Sequence, residues 1–496
     1  METSVIPVAE NLPNSMVKSR SLDDLSTDVL ILIFEELYNT WGPSAMASDA
    51  FQSLRLISRK MNMITTPFRY RQIQLSPKLL ENPMGSSAIL NVIAHTRHLV
   101  VTRPLDWELV ARVLSASACI QSLTWRYDER TWQPFPTAIR SLVVSKRLRL
   151  KIDKLDNALE NLDSIPASQV VDIRVDLHDE DFLLVNNFLV ESKNLESLSL
   201  CSIDQWPDPD VGRLAPIQTL RVSSFGMSWP YSAEETDRLW DFSRLKHLEV
   251  TLPCLHRFLL SVAPHKFVHL KKLEMSEVFE HQDHQAEVTK LLGKLVESAQ
   301  CLEEIAIPCF LDHFDFSSIL KHRSLQALKL RKFQEPDPED EPTIRRTLSV
   351  QQLHLLQSSC PFLRRLDLDI NLKECEPYQF IDAVAQFRNL DSLKLTTLTL
   401  LDENEENNEG RDVDLEFFQD AIMRLQDHKC GRPMLQVTVH IRTLEYSDTA
   451  LAEHLAFHRR LYEIDREPRV LIFNWRNGKI RTRSYNSSHR RRYRRR

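Results

Sequence analysis

Glycine is scarce: eight residues in 496, and the nearest two, Gly212 and Gly226, stand fourteen positions apart. Loops that cradle phosphate need clustered glycines, so that backbone N–H groups can approach the anion closely. Dinucleotide fingerprints, P-loops and kinase-type loops are thereby excluded. G-x-S-x-G is also missing, which leaves Ser58 and Ser164 without a nucleophile elbow. The eight cysteines include no C-x-x-C pair, so they read as dispersed free thiols, several of them in apolar segments. No stretch approaches the roughly 18 consecutive apolar residues that cross a bilayer, and residues 1–21 have no apolar signal core. These absences predict a reduced, soluble protein of the cytoplasm and/or nucleus, with no membrane partner. His265 and His269 share a helical face, and His281 and His284 lie near Glu280, but no H-E-x-x-H or Cys/His quartet is present. The expectation is surface histidines, no metal, no cofactor and no catalytic residue.

What the chain does have is 42% apolar residues and 27% charged ones, enough to bury a large core. Leu25–Leu37 places Leu30, Ile33, Phe34 and Leu37 at i, i+3, i+4 and i+7 of a helix. Ser26 or Thr27 can cap it, and Asp28 suits the positive end of its dipole. A second pattern, Leu54–Ile64, aligns Leu54, Ile57, Met61 and Ile64 before Pro67 is expected to stop it. A strand-like Tyr70–Leu75 follows.

This run resembles an F-box, in wording close to the fungal form of the motif. The matching residues are Leu25, Asp28, Leu30, Ile33, Phe34 and Leu37, then Leu54–Arg59 and Met61. Ser26 stands where the family has proline, and the segment from Tyr38 to Ala50 makes a longer loop than is usual. The resemblance implies docking onto a Skp-type adaptor and cullin. Leu25, Leu30, Ile33, Phe34, Leu37, Leu54, Ile57 and Met61 would be the adaptor-binding residues.

Beyond residue 75 an apolar-x-x-apolar-x-apolar pattern recurs from Ile120, Ile139, Val170, Leu195, Ile217, Leu245, Leu270, Leu302, Leu325, Leu363 and Leu390, a mean spacing of 27 residues. Segments between copies read as helices: Val288–Val296, Val350–Leu356 and Phe380–Phe387. Strand and helix alternating at a fixed period predict an α/β fold, an irregular leucine-rich-repeat solenoid with a parallel inner sheet and outer helices. The body resembles the degenerate repeat domains that follow F-boxes. The predicted organisation is a disordered 1–20, an F-box over 21–75, the solenoid over 76–475 and a basic disordered tail over 476–496. Acidic loops are expected at 335–342 and 402–413, and strand 435–441, a helix near 450–462 and strand 470–475 should close the array.

Positions between the inward leucines form a mixed-charge row and a candidate substrate face: Arg174, Arg221, Glu249, Glu274, Lys329, Asp367 and Lys394. The tail holds ten Lys or Arg and no acid after Trp475, ending in Arg490, Arg491, Arg492, Arg494, Arg495 and Arg496. It reads either as an arm for nucleic acid or an importin, or as a solubilising segment. The expected function is a non-catalytic substrate-recognition subunit of a cullin-RING ubiquitin ligase, holding an unknown protein substrate. The rival is a nuclear scaffold or nucleic-acid-binding protein that uses the Arg-rich tail.

Overall fold

The computed structural model describes residues 22–41, 45–82, 84–126, 135–155, 159–176, 182–201, 206–224, 227–277, 284–308, 313–331, 348–372, 376–398, 400, 412–442, 469–476 and 479–485. The expected N-terminal extension, the acidic segment 335–342, the helix near 450–462 and Arg490–Arg496 lie outside them. Two compact units divide between Arg149 and Leu150, so the boundary expected after residue 75 falls inside the first. Among the described residues no helix is long and apolar enough to cross a membrane.

The first unit opens with helices Thr27–Trp41, Ala45–Leu54 and Arg59–Tyr70. The Ser26 hydroxyl accepts a hydrogen bond from the Val29 N–H at 3.3 Å, a cap that proline could not supply. The expected second helix does not run through Leu54–Ile64. One helix ends at Leu54, and Ser58 caps the next by accepting from the Met61 N–H at 3.1 Å. The segment expected as a long loop is largely helix. Pro67 does not stop the third helix either, which continues to Tyr70 and buries Phe68 one residue past the proline. Continuing the helix keeps Phe68 in the aromatic core with Phe34 and Phe51, which offsets the N–H lost at Pro67.

Downstream in the same unit, strands β1 (Gln72–Gln74), β2 (His98–Val101) and β3 (Ser122–Arg126) are paired in parallel. Helices Ser87–His95 and Trp107–Ala116 connect them. The copy expected at Ile139 is instead helix Thr137–Ser145, with Ile139 and Val143 buried one turn apart. Its apolar residues fit a 3.6-residue period as well as a two-residue one, and the helix period won.

The second unit is the repeat body. Its strands are β4 (Arg149–Leu155), β5 (Val170–Asp176), β6 (Ser197–Cys201), β7 (Thr219–Ser223), β8 (His247–Leu252), β9 (Lys272–Glu277), β10 (Glu304–Pro308), β11 (Ala327–Arg331), β12 (Arg365–Asp369), β13 (Ser392–Leu398) and β14 (Gln436–Arg442), each parallel to the next. Leu198, Leu220, Leu248, Leu273, Ile305, Leu328, Leu366 and Leu393 fall in register across successive strands and are all buried. The connecting helices, among them Gln285–Ser298, Val350–Ser359 and Pro377–Ala385, bury the apolar faces that their sequence marks. This is a leucine-rich-repeat-like solenoid.

A local device sets the register. The first leucine of six copies (Leu195, Leu245, Leu270, Leu325, Leu363, Leu390) donates its N–H to the carbonyl three residues back. The next residue then donates to the equivalent position of the preceding repeat, as in Lys246 to Gln218 at 2.8 Å and Lys271 to Lys246 at 2.7 Å. A turn and one cross-strand bond thus start each strand in phase with its neighbour.

Two antiparallel strands close the body, β15 (Arg469–Arg476) and β16 (Lys479–Tyr485). The second corrects the expectation of a disordered tail from residue 476. Ile480 and Thr482 alternate with Lys479, Arg481 and Arg483, a strand period with β-branched residues on one face. The charges also suit an edge strand, where they discourage further pairing. Likewise the segment expected as an acidic loop to residue 413 ends sooner, since Asp412 caps helix Val413–His428 and pairs with Arg469. Gly431, at φ +76°, makes the turn into β14; an added Cβ would lie 2.5 Å from the Arg388 carbonyl oxygen.

Replacing Leu248 with Ala should destabilise the repeat body by about 2–5 kcal/mol through lost burial and a residual cavity, read from denaturant unfolding. A second expectation concerns helices Pro377–Ala385 and Val413–His428, tied by Asp382 to Arg424 at 2.6 and 2.8 Å and to His428 at 2.6 Å. The Arg424 hydrogen bonds, helped by His428, push the Asp382 carboxyl down to about 2. A depressed carboxylate stabilises the fold above its unfolded value near 3.9, and that contribution is lost as pH falls toward 2. Wild-type stability should therefore drop more steeply than that of Asp382→Asn between about pH 4 and pH 2.

Candidate functional site

In the repeat body the pairing register assembles the predicted polar row. Arg174 faces Ser199, then Arg221, Glu249, Glu274, Ala306, Lys329, Asp367, Lys394 and Thr438 follow, each the partner of the one before. All seven candidates thus share one line across nine strands, with neighbouring strands about 4.8 Å apart. Their side chains are exposed or half-buried, while the residues on either side of each along the strand are buried. The row is interrupted by the small Ser199 and Ala306.

A second row, two residues earlier along each strand, shares the same side of the sheet by strand alternation. It contains His247, Lys272, Glu304 and Arg365. Nothing in the leucine pattern singled these out, although period-two alternation places one such residue before each central leucine. Together the rows form pairs of opposite charge: Arg221 Nε to Glu249 Oε2 at 3.2 Å, Lys272 Nζ to Glu274 Oε2 at 3.2 Å, and Arg365 to Glu304 across the intervening Ala327. Arg174 lies 3.9 Å from Asp176. Partial burial, with Lys272 and Arg221 nearby, lowers the pKa of His247 from the ordinary histidine value. Exposed ion pairs of this kind contribute about 0–1 kcal/mol each. They can be exchanged for a partner's charges at little cost, so the face suits recognition of a mixed-charge protein surface better than a polyanion.

The N-terminal module separates its predicted contact residues into two groups. Leu30, Phe34 and Met61 are fully or almost fully buried and, with Phe51, Ile64 and Phe68, form the core of the three helices. Phe51 stacks on Phe68 at 5.5 Å, and Phe34 meets each of them edge-on near 6 Å. Leu25, Leu37 and Leu54 pack against that core, half-buried. Leu30, Phe34 and Met61 are thus spent on the module's own core, while Leu25, Leu37 and Leu54 keep part of their surface exposed. Ile33 and Ile57 do face outward, 38% and 60% exposed. Beside them in sequence, Leu32 (65%), Leu56 (84%), Met63 (69%) and Val29 are also exposed.

The stripe of Leu30, Ile33, Phe34 and Leu37 left out Leu32, and reading Leu54–Ile64 as one helix left out Leu56, in the turn after the second helix, and Met63, on the third. The signal was there in Val29-Leu-Ile-Leu-Ile-Phe34, which is apolar around the whole helix circumference. A helix so composed has a second face that its own module cannot cover.

No protein-family model matches the chain, and no curated protein does. Among solved structures, the TLR13–ssRNA13 complex is similar to it at 14% sequence identity and a TM-score of 0.25, over 68% of this chain. The chain spans 59% of that neighbour's length.

The split between buried and exposed residues predicts a large loss of stability at one group and almost none at the other. Phe34→Ala should cost about 3–5 kcal/mol and lower the melting temperature of the first unit. Leu56→Ser and Ile57→Ser should stay within about 0.5 kcal/mol of wild type, because neither removes a buried contact. Thermal unfolding of the three variants measures the difference.

Proposed function

We propose that the chain is a two-surface recruitment protein: a substrate-recognition subunit that docks a Skp-type adaptor of a cullin-RING ubiquitin ligase and carries a protein substrate on its repeat body. The observation that supports the reading is the exposed apolar set Leu32, Ile33, Leu56, Ile57 and Met63 on a three-helix module whose own core is already complete. Large apolar side chains held in water on a closed module mark a protein-docking surface. The F-box resemblance of the same segment is the ground for naming a Skp-type adaptor as the partner.

The polar face of the repeat body supplies the second surface. Its opposed charges would recognise a substrate by exchanging internal ion pairs for intermolecular ones. The protein does no bond chemistry in this reading. It raises the effective concentration of a substrate lysine near a ubiquitin-charged enzyme held on the same assembly.

The test is affinity purification of the tagged full-length chain, with adaptor and cullin quantified by mass spectrometry. Leu32→Asp combined with Ile57→Asp should lower their recovery more than tenfold while leaving the unfolding transition in place. Ile57→Ala alone should cost on the order of 1–2 kcal/mol of adaptor affinity, roughly five- to thirtyfold. Recovery of RNA or chromatin with neither adaptor nor cullin would replace this reading with the nucleic-acid scaffold. Unchanged adaptor recovery from the double variant would overturn the docking surface.

A further inference from the structure

On the helical side of the repeat body, two consecutive repeats bring three metal-ligating side chains together. His256 sits on helix Leu255–Ser261, and Glu287 on helix Gln285–Ser298, which His284 immediately precedes. The ligand atoms of His256, His284 and Glu287 all lie within 4.8 Å of one another. His256 Nε2 is 2.9 Å from Glu287 Oε2. The imidazoles of His256 and His284 are stacked, with centroids 4.4 Å apart and planes 8° from parallel.

From this we infer that the body carries a zinc-class divalent metal site, with His256, His284 and Glu287 as its three protein ligands. Two neutral imidazoles and one carboxylate are a donor set that suits zinc, whereas calcium and magnesium prefer all-oxygen shells. Packing fixes two of the three positions. Buried Leu255, Phe258 and Leu259 set the rotation of the first helix, leaving the His256 side chain 13% exposed. Buried Val288 and Leu292 do the same for Glu287. His284 lies three residues before Glu287, a spacing that puts both on one face at the helix start.

Nitrogen and oxygen ligands 2.0–2.1 Å from a tetrahedral ion stand about 3.3 Å apart, close to the 2.9 Å separation of His256 and Glu287. The adjustment falls on His284. Parallel stacked rings share no point lying in both ring planes, so this exposed side chain turns about its χ angles to aim a nitrogen at the ion. His256 binds through Nε2 with its proton on Nδ1, and water completes the fourth position. The ion would tie the helices of two consecutive repeats together. The sequence concealed this site because His256 lies 28 residues before His284, outside the short spacings of motifs that can be read from sequence.

The experiment titrates chelator-treated full-length protein with Co(II), followed by its visible absorption, and with Zn(II) by calorimetry. One equivalent should bind, with the visible bands of a four- or five-coordinate Co(II) ion. Zn(II) in excess should raise the unfolding midpoint by about 5 °C. His284→Ala and Glu287→Gln, both at exposed positions that leave the fold intact, should each weaken binding at least tenfold and abolish that rise. His256→Ala should do the same, with circular dichroism confirming that it folds. Absence of saturable binding, or binding that both exposed-position variants leave unchanged, would overturn the site and leave only a stacked histidine pair beside the Glu287 carboxylate.

Discussion

Two buried rows of aliphatic side chains, separated by one outward residue, are the constraint on which the repeat body depends. Leu248 and Val250 show the unit: both are buried, and Glu249 between them points away. Parallel neighbours repeat it in register, Leu220 and Val222 on one side, Leu273 and Met275 on the other. A one-residue slip of any strand would bury its charged row and expose both leucine rows. The turn and the inter-repeat hydrogen bond before each strand oppose such a slip, because they fix the phase before the strand begins.

That constraint leaves the outward positions free, since they add little to the core. Their chemistry can vary from strand to strand, and here it does: arginine beside glutamate on β7 and β8, lysine beside aspartate on β11 and β12. The line of charges follows from leucines that never touch it. The N-terminal module works by different physics. Three short helices close a small aromatic core around Phe34, Phe51 and Phe68, and the apolar residues left over remain in water. One surface offers exchangeable charges and the other offers area to desolvate, the two main currencies of protein recognition.

Legibility in the sequence tracked how far apart the interacting residues lie. Where the pattern repeats locally, as in Leu245–Val250 or Leu363–Leu368, strand, buried face and outward row could all be read in advance, and all seven residues of the polar row were. Where a segment fits both periods, as around Ile139, the sequence alone left the choice to packing. At Leu54–Ile64 a continuous stripe concealed a helix break, because Ser58 caps a new helix instead of continuing the old one.

The amino-acid sequence by itself determined the repeat, its strands from Val170 to Leu395 and the side of the sheet their residues take, since a two-residue period needs no knowledge of the rest of the chain. Tertiary structure alone decided which apolar residues of the first helices are core and which are surface. Leu30 and Leu32 are chemically identical, and the difference between 0% and 65% exposure arises from the helices packed beside them. It also decided that His256 meets His284 and Glu287, and that Arg365 reaches past a strand to Glu304. These contacts join residues tens of positions apart, and only the fixed register of neighbouring repeats brings them within reach.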